Sequence, residues 1–66
     1  MKRIDLVRHL EEFGCEFVRE GKQHTLYINR LTRKSAAVPR HRDIPTGTVR
    51  SICRSLDIRF PSDKKV

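Results

Sequence analysis

Apolar side chains recur with helical spacing in two separate parts of this chain. The first stripe predicts a helix over residues 3–13 and consists of Leu6, Val7, Leu10 and Phe13. The second stripe predicts a helix from about residue 46 to 56 and consists of Val49, Ile52, Cys53 and Leu56. Gly14 can end the first helix in the left-handed conformation, and Pro45 suits the start of the second. Each helix therefore has one apolar face to bury.

Three segments between the helices are typical of short strands. They cover residues 15–19, 23–29 and 34–39, with Gly21 at the first turn and residues 30–33 in the second. Connections this short favour antiparallel neighbours, so we predict a three-stranded meander. Both helices must cover the same sheet face, because each has only one apolar stripe. The predicted fold is α+β: a two-layer α-β-β-β-α sandwich, as in double-stranded-RNA-binding domains, with a three-stranded antiparallel sheet and two helices on one face.

The length of 66 residues allows one domain, which we place at residues 1–58, followed by a polar tail at residues 59–66. A domain of this size favours a shallow surface site over a deep cofactor pocket. Two cysteines, Cys15 and Cys53, cannot complete a four-ligand zinc site, so we expect buried free thiols in a reducing compartment. No apolar run is long enough to predict a secretion signal or a membrane span.

Positive charge is concentrated in the second part of the chain. The formal net charge is +7. Residues 1–20 hold four basic and five acidic side chains, whereas residues 21–66 hold eleven basic and three acidic ones. This asymmetry favours a polyanionic partner, either nucleic acid or an acidic protein, although many small basic domains are simply soluble. The cations predicted to contact RNA are Arg19, Lys22, Arg33, Lys34, Arg40 and Arg50.

One histidine lies among these cations, at the start of the second predicted strand. Histidine can take up or give a proton under physiological conditions, and we expect the cations near His24 in sequence to favour a neutral imidazole that can accept a proton. Because His24 alternates with Leu26 and Ile28, a structural role at the edge of the core is the alternative interpretation. Tyr27 is predicted either to contact RNA or to be a half-buried strand aromatic.

Four sequence blocks together carry a resemblance to a known family. They are residues 10–19, the pair His24 and Tyr27, the Val-Pro-Arg-His of residues 38–41, and the Gly-Thr-Val-Arg-Ser-Ile of residues 47–52. In this order and spacing they resemble the HicA-type toxins, the mRNA-interferase half of a bacterial or archaeal toxin–antitoxin pair. The resemblance covers roughly residues 3–58. The family's usual Gly-Ser pair before the histidine is replaced here by Lys22 and Gln23.

The resemblance implies a cytoplasmic endoribonuclease that cleaves mRNA without a metal or other cofactor and is neutralised by a HicB-type antitoxin. His24 would be the catalytic general base, and Arg19, Lys22 or Arg33 would stabilise the phosphoryl oxygens. The general acid stays open between Lys22, Tyr27 and water.

Two other assignments complete the expectations. The alternative function is a non-catalytic RNA- or DNA-binding module on the same fold. A metal enzyme is disfavoured, because the chain has no HxH, HExxH or paired-carboxylate spacing. For His41 we expect a structural role, such as capping the following helix, more than an RNA contact.

Overall fold

The computed structural model describes residues 1–61 and confirms the predicted order of elements. In chain order these are α1 (Arg3–Glu12), β1 (Cys15–Glu20), β2 (His24–Asn29), β3 (Ser35–Pro39) and α2 (Thr46–Ser55). The strands form one antiparallel sheet in the order β1-β2-β3. Each predicted boundary lies within one residue of the observed one. Residues 62–66 of the predicted tail lie outside the described residues, and the division at residue 58 stays a prediction.

Backbone geometry explains where the helices begin and end. Gly14 follows α1 with a φ of 84°, as expected for a glycine that ends a helix. Before α2, the Pro45 carbonyl accepts a 3.0 Å hydrogen bond from the Val49 amide. No side chain caps this helix. Proline at this position supplies a fixed φ, and its missing amide hydrogen costs the helix no hydrogen bond, because amides at a helix N-terminus have no acceptor within the helix.

Both helices cover the same face of the sheet. On β2, Thr25, Tyr27 and Asn29 are buried, while the intervening His24, Leu26 and Ile28 lie on the open face. This alternation is the two-residue period of a strand with one covered face. The core residues are Leu6, Leu10, Cys15, Tyr27, Val38, Ile44, Val49, Ile52, Cys53 and Leu56.

Phe13 departs from the predicted apolar stripe of α1. Its side chain is 38% exposed, whereas Leu6 and Leu10 are fully buried. The helix ends at Glu12, so Phe13 is already leaving the helical path, and its ring lies beside His9 with centroids 4.7 Å apart. The last position of the stripe is therefore not part of the core.

A buried amide joins the end of α2 to the β2–β3 turn. Asn29 Nδ2 donates to the Leu56 carbonyl at 2.8 Å, and its Oδ1 accepts from the Leu31 amide at 2.9 Å. The same turn holds Arg33 at a φ of 66°. Because both polar atoms of the Asn29 side chain are satisfied, its burial is compatible with stability.

Residues after α2 return to the body of the domain. Ile58 and Phe60 are half-buried against the core. The Arg50 guanidinium lies 4.8 Å from the centroid of the Phe60 ring, and the Arg59 carbonyl lies 2.7 Å from His9 Nε2. The beginning of the predicted tail thus contacts both helices.

Cys15 and Cys53 are buried and unbridged, as predicted. Burial raises the pKa of both thiols, and the charge of Cys15 adds to the effect at Cys53.

None of the helices within residues 1–61 is both long enough and apolar enough to traverse a lipid bilayer.

Candidate functional site

The β1–β2 turn fixes the position of His24. The Gly21 amide donates a 2.7 Å hydrogen bond to the His24 carbonyl, which closes a turn over Lys22 and Gln23. A Cβ atom on residue 21 would lie only 3.0 Å from that carbonyl oxygen. Glycine at this position avoids that tight contact and allows the backbone of the turn to approach the His24 carbonyl closely.

His24 lies where three surface cavities meet. One, of about 440 Å³, is lined by His24, Lys22, Gln23, Arg40 and His41. A second, of about 470 Å³, runs between β3 and α2, and a third, of about 150 Å³, includes Arg19. The imidazole is exposed, and within residues 1–61 it makes no hydrogen bond to the protein. Both ring nitrogens are therefore accessible to a ligand.

Arg19 and Lys22 supply positive charge on two sides of His24. Arg19 pairs with Leu26 in the sheet and lines the smallest cavity, whereas Lys22 projects from the turn. Both side chains are exposed, and neither forms an ion pair within the part of the chain that the structure describes. These two predicted residues are brought together with the histidine.

Arg40 also lies here, but its guanidinium is engaged by the protein. Nη1 donates to the carbonyls of Gly21 at 3.3 Å and Lys22 at 3.4 Å, and Nε lies 3.1 Å from Glu20 Oε2. Its charge is thus partly offset by Glu20. These contacts stabilise the turn before His24. Arg40 also remains a predicted RNA contact.

Arg33 and Lys34 lie at the opposite end of β2. A strand rises about 3.3 Å per residue, so five residues separate them from His24 by roughly 17 Å. Arg33 instead lines a separate cavity with Glu16, Ile28 and Arg30. The expectation that Arg33 stabilises the phosphoryl group beside His24 is therefore corrected, and both cations remain predicted contacts to more distant phosphates.

Of the two roles predicted for Tyr27, the structure favours the strand aromatic over the RNA contact. Its side chain points to the covered face and is 5% exposed. Phe17 packs edge-on against it, with ring centroids 6.3 Å apart. Burial raises the pKa of the Tyr27 phenol; the charge of Arg3 opposes this rise, and the charges of Glu11 and Glu20 add to it. Tyr27 is a core residue, and a buried ring cannot stack on a base or protonate a leaving group.

Arg50 lies against Phe60, outside the His24 cavities, and its predicted RNA contact remains untested.

His41 lines the same cavity as His24, a proximity that the local sequence pattern does not indicate. The structure leaves this side chain exposed in the cavity shared with His24, and it does not cap α2. The strand register explains the proximity: His24 pairs with Pro39, so the chain just beyond β3 returns to the same end of the sheet. A register deduced from the short turns could have found it.

No group of three His, Cys, Asp or Glu side chains within residues 1–61 is arranged to hold a metal ion.

A family model described as HicA toxin of bacterial toxin-antitoxin matches residues 4–58, nearly the whole chain. Neither the curated proteins nor the solved structures provide a match.

Proposed function

The chain belongs to the HicA toxin family, and we propose that it is an endoribonuclease that cleaves mRNA with His24 as the general base. The observation that carries the proposal is an exposed, unengaged imidazole at the meeting point of three cavities, with Arg19 and Lys22 on either side. This combination offers a proton acceptor and phosphate-binding charge on one open surface.

In the proposed reaction, His24 removes the proton from a ribose 2′-hydroxyl. The 2′-oxygen then attacks the adjacent phosphorus, the bond from phosphorus to the 5′-oxygen breaks, and a 2′,3′-cyclic phosphate forms. Arg19 and Lys22 stabilise the negative charge that develops on the phosphoryl oxygens. General base catalysis supplies about 10²–10⁴-fold, and orientation of the RNA supplies much of the remainder.

The leaving 5′-oxygen needs a proton, for which His41 is the best placed donor. Support comes from the cavity that His41 shares with His24 and from the burial of Tyr27, which removes one of the other candidates. Imidazole is also the side chain that most readily donates a proton near neutral pH. Lys22 would then serve as the phosphate contact.

A toxin of this family has an antitoxin partner, and we propose a HicB-type protein that covers His24 in the cytoplasm. The basic surface around the cavities favours an acidic cover. Covering His24 would also block access of RNA.

The test is cleavage of single-stranded RNA in EDTA, with cyclic-phosphate ends identified by mass spectrometry. We expect cleavage by the original chain and a loss of about 10²–10⁴-fold in His24→Ala. Because His24 is exposed, this change should alter the free energy of unfolding by less than about 2 kcal/mol. Tight RNA binding without cleavage by the original chain would instead establish the non-catalytic module.

The role of His41 has its own signature. A general acid matters little when the leaving group departs without needing a proton, as the sulfur of a 5′-thio-substituted RNA does. His41→Asn should therefore slow cleavage of ordinary RNA much more than cleavage of RNA with sulfur in place of the scissile 5′-oxygen. Equal slowing of both substrates would assign the proton to Lys22 or water.

A further inference from the structure

One edge of the sheet has unpaired backbone groups beside His24. The Asn29 amide donates to the Lys34 carbonyl at 2.8 Å, and the Arg40 amide donates to the Gln23 carbonyl at 3.2 Å. Because hydrogen-bonded pairs alternate in an antiparallel ladder, Ala36 and Val38 direct their backbone groups towards β2. The amides and carbonyls of Ser35 and Ala37 therefore point away from the sheet. Within residues 1–61 these four groups have no hydrogen-bond partner.

The two edges of the sheet differ in their protection. On β1, a bulge between Phe17 and Arg19 interrupts the register, and the strand carries charged Glu16, Arg19 and Glu20. Bulges and charges are the usual means of preventing edge-to-edge pairing. By contrast, β3 is the short sequence Ser-Ala-Ala-Val-Pro, with a regular register and no charge.

We propose that an acidic, extended segment of the antitoxin adds to the sheet as a fourth strand beside β3. This inference rests on the proposed function for the identity of the partner. Alternating amide donors and carbonyl acceptors match the backbone of another peptide, whereas RNA phosphates provide only acceptors. The free edge therefore selects a protein strand over RNA.

The shape of the neighbouring cavity fits such a strand. The 470 Å³ cavity runs along β3 and is lined by small side chains, including Ala37, Gly47 and Ser51. His24 lines the same cavity, so a strand bound there would also obstruct the approach of RNA. Pro39 ends the accessible edge, because it lacks an amide hydrogen and its carbonyl accepts a hydrogen bond from Arg3.

Charge determines the kind of strand that fits. Arg33 and Lys34 precede β3, and Arg40, His41 and Arg42 follow it. An incoming strand with small or apolar residues at its centre and carboxylates at both ends would complement this pattern. A second copy of the chain in antiparallel pairing would bring the cations at one end of β3 against those at the other end, which is unfavourable.

The experiment uses a synthetic peptide of about eight residues, with glutamates at both ends and alternating valine and threonine between them. Amide exchange and chemical shifts of the full chain are followed by NMR during titration with the peptide. We expect the Ser35 and Ala37 amides to become protected and the Ala36 and Val38 amides to change little. The same peptide with lysine in place of glutamate should bind at least about tenfold more weakly.

Ala37→Pro provides the decisive variant. It removes an outward-facing amide hydrogen without removing a bond within the sheet, so the fold should persist. We expect it to weaken peptide binding by about tenfold or more, whereas Ala37→Ser retains the amide and should bind normally. Thermal unfolding and RNA cleavage of both variants, measured in parallel, report whether fold and catalytic site survive.

Several results would overturn the inference. The first is that the original chain does not bind the peptide at about 1 mM. The second is that folded Ala37→Pro binds the peptide normally. The others are that single-stranded RNA but not the peptide protects the Ser35 and Ala37 amides, or that the chain self-associates and Ala37→Pro abolishes this association. If the original chain cleaves RNA while any of these is observed, only the strand addition fails. If the chain does not cleave RNA but the peptide protects the two amides, the proposed ribonuclease activity fails instead.

Discussion

Arg3 donates a hydrogen bond of 2.8 Å from Nη2 to the hydroxyl oxygen of Thr25. Its Nε also donates to the Pro39 carbonyl at 3.1 Å. Thr25 follows His24 in β2, and Pro39 is the residue paired with His24 across the sheet. The first residue of α1 thus restrains both neighbours of the proposed catalytic histidine. The family match covers residues 4–58, so Arg3 lies just outside it and both of its partners lie within it.

Thr25→Val should expose the importance of this contact. The variant keeps the shape of a fully buried side chain but leaves an Arg3 donor without its partner. We expect a loss of about 1–2 kcal/mol in the free energy of unfolding. Single-turnover cleavage at saturating protein should slow by about tenfold, because His24 is held less firmly. Urea denaturation and cleavage assays provide the two measurements.

A change elsewhere on α1, the helix that begins with Arg3, provides the control. Arg8 and Asp5 form an exposed pair at 3.9 Å, so Arg8→Met should change stability by no more than about 0.5 kcal/mol. The idea of restraint fails if Thr25→Val loses stability but cleaves saturating RNA at the original rate.

Gly21→Ala should impair cleavage by displacing the backbone of His24. The added Cβ would approach the His24 carbonyl oxygen to 3.0 Å, which requires the turn to shift. We expect a slower saturating rate with a smaller change in RNA affinity. Gly47→Ala is the comparison, because a Cβ there meets nothing within 4 Å and should leave stability unchanged or raise it by at most about 1 kcal/mol. Equal cleavage by Gly21→Ala and the original chain would contradict the close-approach argument.

Substitution of cations far from His24 should mainly change the RNA affinity, whereas substitution of a cation near His24 should change the cleavage rate. Changing Arg33 and Lys34 to Glu should weaken RNA binding. It should also reduce the slope of log affinity against log salt concentration by about 0.7 for each phosphate contact that is lost. The rate at saturation should stay within about twofold, because both cations lie roughly 17 Å from His24. By contrast, Arg19→Gln should reduce the saturated rate, because its charge acts on the reacting phosphate. Affinity that does not depend on salt would contradict a phosphate-binding surface.

The buried thiols predict a loss of stability at alkaline pH. Burial raises the pKa of Cys15 and Cys53 above the ordinary value of 9.0, so the folded state favours their neutral forms. This contribution is complete below pH 9 and is lost as the pH rises through the folded-state pKa values. Under reducing conditions the free energy of unfolding should fall above pH 9 by up to about 1.4 kcal/mol per pH unit for each ionising thiol. Cys53→Ala should make that decline shallower, and an identical decline in this variant would refute the assignment to the thiols.

The elements could be predicted because they depend on local spacing. The stripe of Val49, Ile52 and Cys53 and the short turns determine α2 and the meander with little tertiary information. The surroundings of Tyr27 and Arg33 could not be predicted in the same way, because they depend on which strand face the helices cover and on which end of the sheet each turn occupies. Arg3 carries no local signal at all, since its partners lie 22 and 36 residues away.

The pair Lys22 and Gln23 should make this member of the family slower than members with Gly-Ser before the histidine. Small residues allow a phosphate to approach the backbone closely, whereas two long side chains crowd the turn from which His24 emerges. The double change Lys22→Gly and Gln23→Ser should therefore raise the single-turnover rate at saturating protein and weaken RNA affinity, because one cation is lost. Gln23→Ser alone, which keeps the cation, should raise the rate without the loss of affinity. If the double variant is slower at saturation while Gln23→Ser is not, Lys22 takes part in the chemistry, and the crowding argument is wrong.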